Sequence, residues 1–381
     1  SVDPDITLDL QTIEQEIAQL WHPDVRGDDP ITSLATRASV LNLVIYAPDD
    51  EIVSRVQEVS ERLSRIHPCR VILFNQVPER SAQRLAPEIY ATCEAGGSEP
   101  STPCIERIRI PVTRRMYRQL PSLVQPLIIP ELPAYLWWPG ALSTADAAFV
   151  ALARSSNYTI VDSLRFEAAR EFQELAELEA QLPSRAAIGD LNWQRLQPWR
   201  ELTAQFFDIR SVNWALTCIR DVEIDVGRLD DRALPTQALL LTSWLAHCLG
   251  WTPFEARRTR NDRWYIGFHD QYREHVRIII RSRPDAEPYA GHILAMNMSA
   301  RNSQGDQSTL SLSRSRGSSL IRMHAKSGLD TALHHAKHHP LLPDEALLTP
   351  ILESTIRDHV FDASLAMAVE TMELFARPEA T

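Results

Sequence analysis

The sequence predicts an α/β protein with an N-terminal doubly wound domain, whose sheet is mostly parallel, and a C-terminal α+β domain with an antiparallel sheet. Up to about residue 165, apolar runs of strand length alternate with amphipathic helical segments, which indicates strands buried on both faces. Beyond residue 254 the pattern changes to a period of two, typical of strands with one wet face. The expected boundaries are 1–37 for an N-terminal helix and linker, 38–165 for the doubly wound domain, 166–210 for connecting helices and 211–381 for the α+β domain.

The N-terminal half supplies its elements in a regular order. A first helix is predicted from Leu10 to Leu20 by its 3-4-3 apolar spacing. Strands are then expected at 40–46, 70–74, 104–110, 127–137 and 158–161, with helices at 49–66, 117–124 and 144–153. Such a fold often holds a dinucleotide at the carboxyl ends of its strands, but no GxGxxG motif follows the strand at 40–46. We therefore expect no cofactor.

The C-terminal half begins with two predicted helices, at 164–182 and at 190–208. Asp190 caps the second helix and Pro198 is expected to kink it. The remaining elements are expected as strands at 214–219, 222–226, 272–283, 309–316 and 320–325, an apolar helix at 236–249, and helices at 343–358 and 359–376.

The net charge of −11 is unevenly distributed along the chain. Residues 251–325 hold 12 arginines and 7 acids, a balance of +5, which leaves −16 for the rest. Arg277 and Arg281 share one side of a predicted strand and are candidates for partner binding. A solvated face with local ion pairs explains the same pattern. A nucleic-acid surface is a third interpretation, weakened by the scarcity of aromatic residues nearby.

No motif predicts catalysis or a metal site. His334, His335, His338 and His339 give two pairs at i,i+4, but Pro340 ends this segment and a polar turn explains it better. The alternating acids Asp221, Glu223 and Asp225 are more typical of an exposed strand face than of acid–base chemistry. GxxxxGK[ST], GxSxG and HExxH motifs are absent.

Cysteine usage and hydropathy predict a cytoplasmic protein. The five cysteines form no CxxC motif, and their irregular spacing fits a reducing compartment. They are nevertheless candidates for redox chemistry: Cys69, Cys93, Cys104, Cys218 and Cys248. No run of 18 apolar residues occurs, so we expect no membrane partner.

Tryptophan is frequent, with nine residues in the chain. Tryptophan and arginine dominate the hot spots of protein interfaces, whereas packing in the core is an equally good explanation of each residue. The candidates for partner binding are Trp137, Trp138, Trp193, Arg195, Trp199 and Arg200.

Five segments carry a resemblance to a known family: 41–45, 67–73, 126–140, 160–163 and 189–200. The last of them reads GDLNWQRLQPWR, and the run DLNWxRLxPWR is rare by chance. The sequence resembles the OpcA proteins, the glucose-6-phosphate dehydrogenase assembly factors, most clearly over residues 38–250. The family pattern marks Asp190 together with the six tryptophans and arginines named above.

The resemblance implies a non-enzymatic partner that assembles or allosterically activates glucose-6-phosphate dehydrogenase. This enzyme opens the oxidative pentose phosphate pathway and makes NADPH. In photosynthetic bacteria the activation is linked to redox state through thioredoxin, which is therefore a further candidate partner. Because no cysteine follows Cys248, redox control is expected to use the five cysteines or the partner. The alternatives are a nucleic-acid-binding regulator that uses the arginine-rich sheet and a cryptic enzyme on a doubly wound fold.

Overall fold

The chain is described by a computed structural model, which covers residues 15, 35–37, 39–79, 87–93, 102–142, 147–210, 212–227, 234–259, 263–284, 289–314, 319–327, 331–354 and 356–376. Except for Gln15, the helix expected from Leu10 to Leu20 lies outside these residues. The chain divides into two compact units, each built from three segments. The first contains Ser1–Val161, Leu178–Gly189 and Asp344–Arg357, and the second contains Asp162–Glu177, Asp190–Pro343 and Asp358–Thr381.

The helices combine an apolar stripe with caps that the sequence supplies. In chain order they are α1 Asp50–Ile66, α2 Leu120–Val124, α3 Ala147–Ser155, α4 Ala169–Gln181, α5 Leu191–Arg195, α6 Gln197–Phe207, α7 Thr236–Leu249, α8 Asp344–Glu353 and α9 His359–Phe375. The longest apolar stripe of the first unit is on α1, where Val53, Val56 and Leu63 are buried. In the second unit Gly250, with φ of 66°, ends α7 in the left-handed conformation that glycine adopts without strain.

Sheet A, apart from the last residue of β8, lies in the first unit. Its strands are β1 Ala35–Arg37, β2 Leu41–Ala47, β3 Cys69–Gln76, β4 Glu88–Cys93, β5 Thr102–Val112, β6 Ala134–Trp137, β7 Tyr158–Val161 and β8 Ala187–Asp190. They are ordered β1-β5-β3-β2-β6-β7-β8, and β4 adds antiparallel to β5. The run from β5 to β8 has the 3-2-1-4-5-6 order of a doubly wound fold, which confirms the predicted fold class.

The first unit also contains a buried ion pair. Arg70 on β3 donates from Nε to Glu106 Oε2 on the adjacent strand β5, at 2.5 Å, and from Nη1 to the carbonyl of Leu127, at 2.6 Å. Both charged side chains are almost fully removed from solvent, 6% exposed for Arg70 and 0% for Glu106. A charge pair this deep depends on both partners, because either charge alone is costly to bury.

Sheet B lies in the second unit and is mostly antiparallel. Its strands are β9 Ile219–Gly227, β10 Thr252–Arg258, β11 Arg263–His269, β12 His275–Arg283, β13 Ile293–Arg301, β14 Gln307–Arg314, β15 Leu320–Ser327 and β16 Thr331–His338. They are ordered β10-β11-β12-β9-β13-β14-β15-β16. The predicted antiparallel sheet is confirmed, except that β9 and β12 pair in parallel. The helix α9 packs against α7 and β10, in the core of this unit.

Several details of the sequence-based prediction are wrong. The strand expected at 127–137 begins only at Ala134. Residues Asn213–Thr217 form a 3-10 helix rather than a strand. The helix expected at 190–208 is two helices, α5 and α6, which join at Leu196, although Asp190 caps the first of them as predicted. The histidine-rich segment is the strand β16 rather than a polar turn, because it pairs along its whole length with β15.

Candidate partner-binding surface

One face of sheet B is open to solvent. Along each strand the side chains alternate between the two faces of the sheet. Val222, Ile224 and Ile278 are buried, while their neighbours in the sequence face the other way and are partly or fully exposed. At the centre of the sheet these exposed positions are Asp221, Glu223 and Asp225 on β9 and Arg277, Ile279 and Arg281 on β12. We refer to this side of the sheet, across all eight strands, as the open face.

The arginines of the open face are paired with carboxylates of the neighbouring strand. Arg277 Nε donates to Asp221 at 2.7 Å, and Arg281 donates to Asp225 and Glu223 at 2.8 and 2.7 Å. Arg283 adds a fourth pair, with Asp225, at 2.7 Å. The pairing follows from the parallel register of β9 and β12, which places Arg277 opposite Asp221 and Arg281 opposite Asp225. Three arginines thus meet three acids, and the centre of the face carries no net charge.

An aromatic cluster lies at one end of the open face. The ring of Phe254 stacks on His269 at 4.3 Å and lies 5.1 Å from His275, and 37% of Phe254 is exposed. None of these three residues was predicted from the sequence as a candidate for partner binding. The local signal for the cluster is Gly267 on β11, because a Cβ atom there would come within 2.8 Å of the Phe254 ring. A glycine inside a strand often marks such a close approach.

In the segment 189–200 of the family pattern, Trp193 and Trp199 are buried within the second unit, and Arg195 and Arg200 are half-buried. Trp193 is 2% exposed, donates from Nε1 to Asp358 Oδ2 at 2.8 Å, and is covered by the Arg200 guanidinium at 3.6 Å. Arg195 makes a double hydrogen bond to Asp162, at 2.6 and 3.1 Å. Trp199 is 1% exposed. These side chains join α5 and α6 to the start of α9, and they therefore contribute to packing inside the second unit.

Asp190 is the hub of a buried hydrogen-bond network in the same unit. Its carboxylate accepts from Ser163 N and Ser163 Oγ, at 3.0 and 2.6 Å, and from Asn192 N at 2.9 Å. The network continues from Asn192 to Gln237 Nε2, at 2.9 Å, and from Gln237 to the backbone N–H of Ile293 on β13. Burial raises the pKa of Asp190 to about 6, with the charge of Asp162 adding to the shift and the bonds from Ser163 and Asn192 opposing it.

The raised pKa of Asp190 predicts a pH-dependent stability. Because the pKa is about 6 in the folded protein and near 3.8 when unfolded, the stabilising contribution of the protonated carboxyl is present below pH 4 and is lost as pH rises through 6. The variant Asp190→Asn should not show this pH-dependent loss of stability. Thermal unfolding of both proteins from pH 4 to 7 should show the wild type losing stability relative to the variant. A difference in melting temperature between the two proteins that stays constant from pH 4 to 7 would contradict the raised pKa of Asp190.

The crevice of sheet A, where doubly wound folds place their ligands, is filled by aromatic side chains. The strand order reverses between β2 and β6, and ligands of such sheets bind outside the strand ends at that point. Here Tyr46 at the end of β2 stacks on Trp138 just after β6, with ring centroids 4.7 Å apart. Phe149 also lies against Trp138, with ring centroids 4.5 Å apart. Tyr46, Trp138 and Phe149 are all buried, as is Trp137 at the end of β6.

The helix that follows β2 carries acids where a phosphate would bind. The N-terminus of a helix attracts anions through its free N–H groups and dipole. In α1 the Asp49 carboxylate already accepts from Ile52 N, at 2.8 Å, and Asp50 and Glu51 occupy the first turn. Pro48, which precedes this helix, also lies close to Gly140, because a Cβ atom added to Gly140 would be 3.4 Å from the Pro48 ring. These residues do not fit the pyrophosphate of a dinucleotide, which carries the same sign of charge.

The cysteines are divided between the two units, with Cys69, Cys93 and Cys104 in the first and Cys218 and Cys248 in the second. Cys69 on β3 is buried, Cys218 is half-buried and Cys248 on α7 is exposed, all three as free thiols. Cys93 ends β4, and Cys104 lies in β5. Within the described residues, no three histidine, cysteine or acidic side chains are grouped as a metal site would require. The helices of these same residues include none with the length and hydropathy of a membrane span.

Two family models together match more than three quarters of the chain. The glucose-6-phosphate dehydrogenase subunit N-terminal domain matches residues 60–179, and the C-terminal domain of the same subunit matches residues 186–365. The chain belongs to the OpcA family. The OxPP cycle protein OpcA of Nostoc punctiforme is 28% identical over 325 residues, which cover 83% of this chain and 68% of the relative. OpcA of Synechococcus elongatus is 27% identical over 317 residues, 81% of this chain and 69% of the relative.

Solved structures of a dehydrogenase and a ketoreductase share the fold of this OpcA family member. A levoglucosan dehydrogenase in complex with NADH and L-sorbose has a TM-score of 0.52 at 9% identity and covers 89% of this chain and 97% of its own. A 3-ketoreductase from Actinomadura kijaniata in complex with NADP has a TM-score of 0.50 at 10% identity, with 88% and 96% covered. At such identities the likeness concerns the fold alone.

Proposed function

We propose that this protein is a non-enzymatic assembly partner and allosteric activator of glucose-6-phosphate dehydrogenase, and that it binds the enzyme through the open face of sheet B. Membership of the OpcA family supports the partner, and the solvent-facing alternation of sheet B supports the surface. We place this function in the cytoplasm, where activation of the dehydrogenase promotes the oxidative pentose phosphate pathway and NADPH production. Thioredoxin is the proposed reductant where the activity is linked to redox state.

The size of the open face supports its use as an interface. Eight strands spaced about 4.8 Å apart, each roughly eight residues long at about 3.3 Å per residue, give a face of roughly 1,000 Å². A stable complex of standard size buries about 800 Å² on each partner. The open face therefore offers enough surface for a specific complex without any contribution from the remaining surface of the chain.

The charges of the open face are balanced, so we propose that a partner is recognised by complementary shape and hydrogen bonds and not by overall charge attraction. Because Arg277 and Arg281 are matched by carboxylates of β9, they offer ordered hydrogen-bonding groups rather than an uncompensated positive charge. The cluster of Phe254, His269 and His275 adds apolar and aromatic area. Ordered arginines beside a partly exposed aromatic ring are the features that hot spots of interfaces share. The same charge matching disfavours the nucleic-acid interpretation.

The filled crevice of sheet A supports the non-enzymatic part of the proposal. The fold is that of dinucleotide-dependent oxidoreductases, yet Tyr46 and Trp138 fill the crevice and Asp49 caps the helix at which phosphates would bind. Catalysis of hydride transfer would require that space. We therefore propose that this chain uses the dehydrogenase fold as a scaffold and leaves the chemistry to its partner.

Activation requires that the protein bind the active form of the dehydrogenase more tightly than the inactive form. A coupling free energy of about 1–3 kcal/mol would change the substrate affinity roughly 5- to 150-fold. The test is the apparent substrate affinity and the rate of the dehydrogenase, measured with and without this protein. Complex formation together with a changed affinity or rate supports activation, whereas no complex and unchanged kinetics would refute the proposal.

The variant Phe254→Ala is expected to weaken binding to the dehydrogenase about fivefold or more, since truncation of a hot-spot aromatic costs more than about 1 kcal/mol of binding free energy. The matched control is Tyr90→Ala in the first unit, because Tyr90 on β4 is exposed to nearly the same extent, 39% against 37%. Isothermal titration of the dehydrogenase with both variants measures the difference. Equal affinities for the two variants would remove the open face as the docking surface.

A further inference from the structure

Four side chains of the second unit lie together at one end of sheet B. They come from the segment before β13, the last residue of β14 and the residue after β16: Tyr289, His292, Arg314 and His339. We refer to them as the histidine–arginine cluster. We propose that this cluster binds a small oxyanion, the phosphate or carboxylate group of a metabolite. The inference rests on contacts within the second unit and does not depend on the proposed function of the protein.

Direct contacts hold the histidine–arginine cluster together. Nη1 of Arg314 donates to the backbone carbonyl of His339 at 2.5 Å, and the guanidinium carbon lies 5.0 Å from the centre of the Tyr289 ring. The ring centroids of Tyr289 and His292 are 6.5 Å apart, and the backbone N–H of His292 donates to the Tyr289 carbonyl at 3.0 Å. All four residues are half-buried. The cluster is therefore partly withdrawn from water and still open to a small ligand.

The positive charge of Arg314 has no acidic partner among the described residues. Two neighbouring cations are matched, because Arg195 makes a double hydrogen bond to Asp162. Lys337 likewise pairs with Glu201. Arg314 instead contacts a carbonyl and an aromatic ring, and its Nε is buried without an acceptor. A charge withdrawn from water is costly without a partner, and an oxyanion that accepts from the guanidinium would supply the missing charge.

His292 is held neutral by its surroundings. Its pKa is lowered to about 4, first by burial and then by the charges of Arg195 and Arg314. His339 adds to this shift of the pKa, and the carboxylate of Asp162 opposes it. The ring therefore carries no charge at neutral pH. An anion placed against it would counteract the arginines, since a negative charge favours the protonated imidazole.

His339 is held neutral in the same way. Its pKa is also lowered to about 4, first by burial and then by the charges of Arg314 and Lys337. Glu201 opposes this shift of the pKa, and His338 adds to it. Arg314 thus lies close enough to both imidazoles to lower their pKa values. An oxyanion bound to the guanidinium would consequently act on both rings.

The histidine–arginine cluster suits an anion better than a metal ion. Neutral imidazoles are common metal ligands, but a metal cation would lie beside the uncompensated charge of Arg314. In the part of the chain that the structure describes, no three histidine, cysteine or acidic side chains are placed to hold a metal ion. An oxyanion accepts from the guanidinium and from imidazole N–H groups, which are donors suited to phosphate and carboxylate.

The experiment is a calorimetric titration of the full chain with inorganic phosphate at pH 7, in a chloride buffer of constant ionic strength. The wild type should bind phosphate, and Arg314→Gln should bind it about tenfold or more weakly, because the variant removes a charge-assisted hydrogen bond. Arg277→Gln is the matched control and should bind like the wild type, since Arg277 lies in the same unit and already pairs with Asp221. A parallel titration with acetate shows which of the two groups the site prefers. Equal affinities of the wild type and Arg314→Gln, or no binding of either anion, would overturn the proposal.

A second readout does not depend on the folding of the arginine variant. Histidine-selective NMR of the wild type is recorded from pH 5 to 8 with and without sulfate, whose charge is constant in this range. Without sulfate, the rings of His292 and His339 should stay neutral throughout, because their pKa values are about 4. With sulfate, each pKa should rise by about one pH unit or more, as expected for an opposite charge within about 4–6 Å. His292→Gln and His339→Gln assign the signals, and signals that do not respond to saturating sulfate would refute the anion site.

Discussion

Replacing Glu106 by leucine is expected to destabilise the protein by about 3–5 kcal/mol, because the guanidinium of Arg70 would remain buried without its carboxylate. The two charges meet at 2.5 Å between β3 and β5, in the interior of the first unit. Leucine removes the carboxylate that accepts from Arg70, which also donates to the carbonyl of Leu127. The midpoint of urea unfolding measures the loss, provided that the slope of the transition is unchanged.

The double variant Arg70→Met with Glu106→Leu is the matched control for that prediction. Two apolar side chains of similar volume remove both charges together, and such replacements of buried ion pairs are often neutral or stabilising. The double variant should therefore recover most of the stability that the single variant loses. If both variants are equally unstable, packing and not charge burial determines the cost at this site.

Trp193→Ala is expected to cost about 3–5 kcal/mol of stability and to leave the affinity for the dehydrogenase unchanged. The stability loss follows from the cavity that removal of a fully packed indole leaves behind. The ring lies under Arg200, beside Phe361 and within hydrogen-bond distance of Asp358, the N-cap of α9. Since 2% of Trp193 is exposed, the side chain offers almost no surface to a partner.

The measurement combines thermal unfolding with binding at a temperature where the variant is still folded, as judged by circular dichroism. Trp193→Phe is the control, because it keeps the aromatic volume and loses the hydrogen bond to Asp358. Its loss of stability should lie between the wild type and the alanine variant. A folded alanine variant that no longer binds the dehydrogenase would place Trp193 at the interface instead of in the core.

The sequence predicted the doubly wound domain well because its signals are local. The buried run Leu41–Ala47 and the amphipathic helix α1 are each readable from a dozen or so residues, since side chains on one face repeat with a fixed period. The split at Leu196 and the 3-10 helix at Asn213–Thr217 were missed. Segments this short contain too few residues for their hydrophobic period to distinguish them from a continuous helix or from a strand.

The candidate surface was only partly predictable. Alternation placed Arg277 and Arg281 on one side of a strand, and one interpretation of that pattern was a solvated face with local ion pairs, which the contacts with Asp221 and Asp225 match. The partners could not be identified in advance, because they lie 56 positions away in the sequence and meet only through the parallel pairing of β9 and β12. Phe254 was missed for the same reason, since its neighbours His269 and His275 come from other strands.

The sequence by itself determined the kinds of elements, the order in which they occur and the family to which the chain belongs, because each depends on residues close together along the chain. Only the tertiary structure decided which of the marked residues are buried and which are exposed. It placed Trp193 and Trp199 in the interior, filled the crevice of sheet A with Tyr46 and Trp138, and brought Cys93 opposite Cys104. The physical reason is that burial and pairing depend on strand order and register, which are set by contacts between distant segments and have no signal in a local pattern.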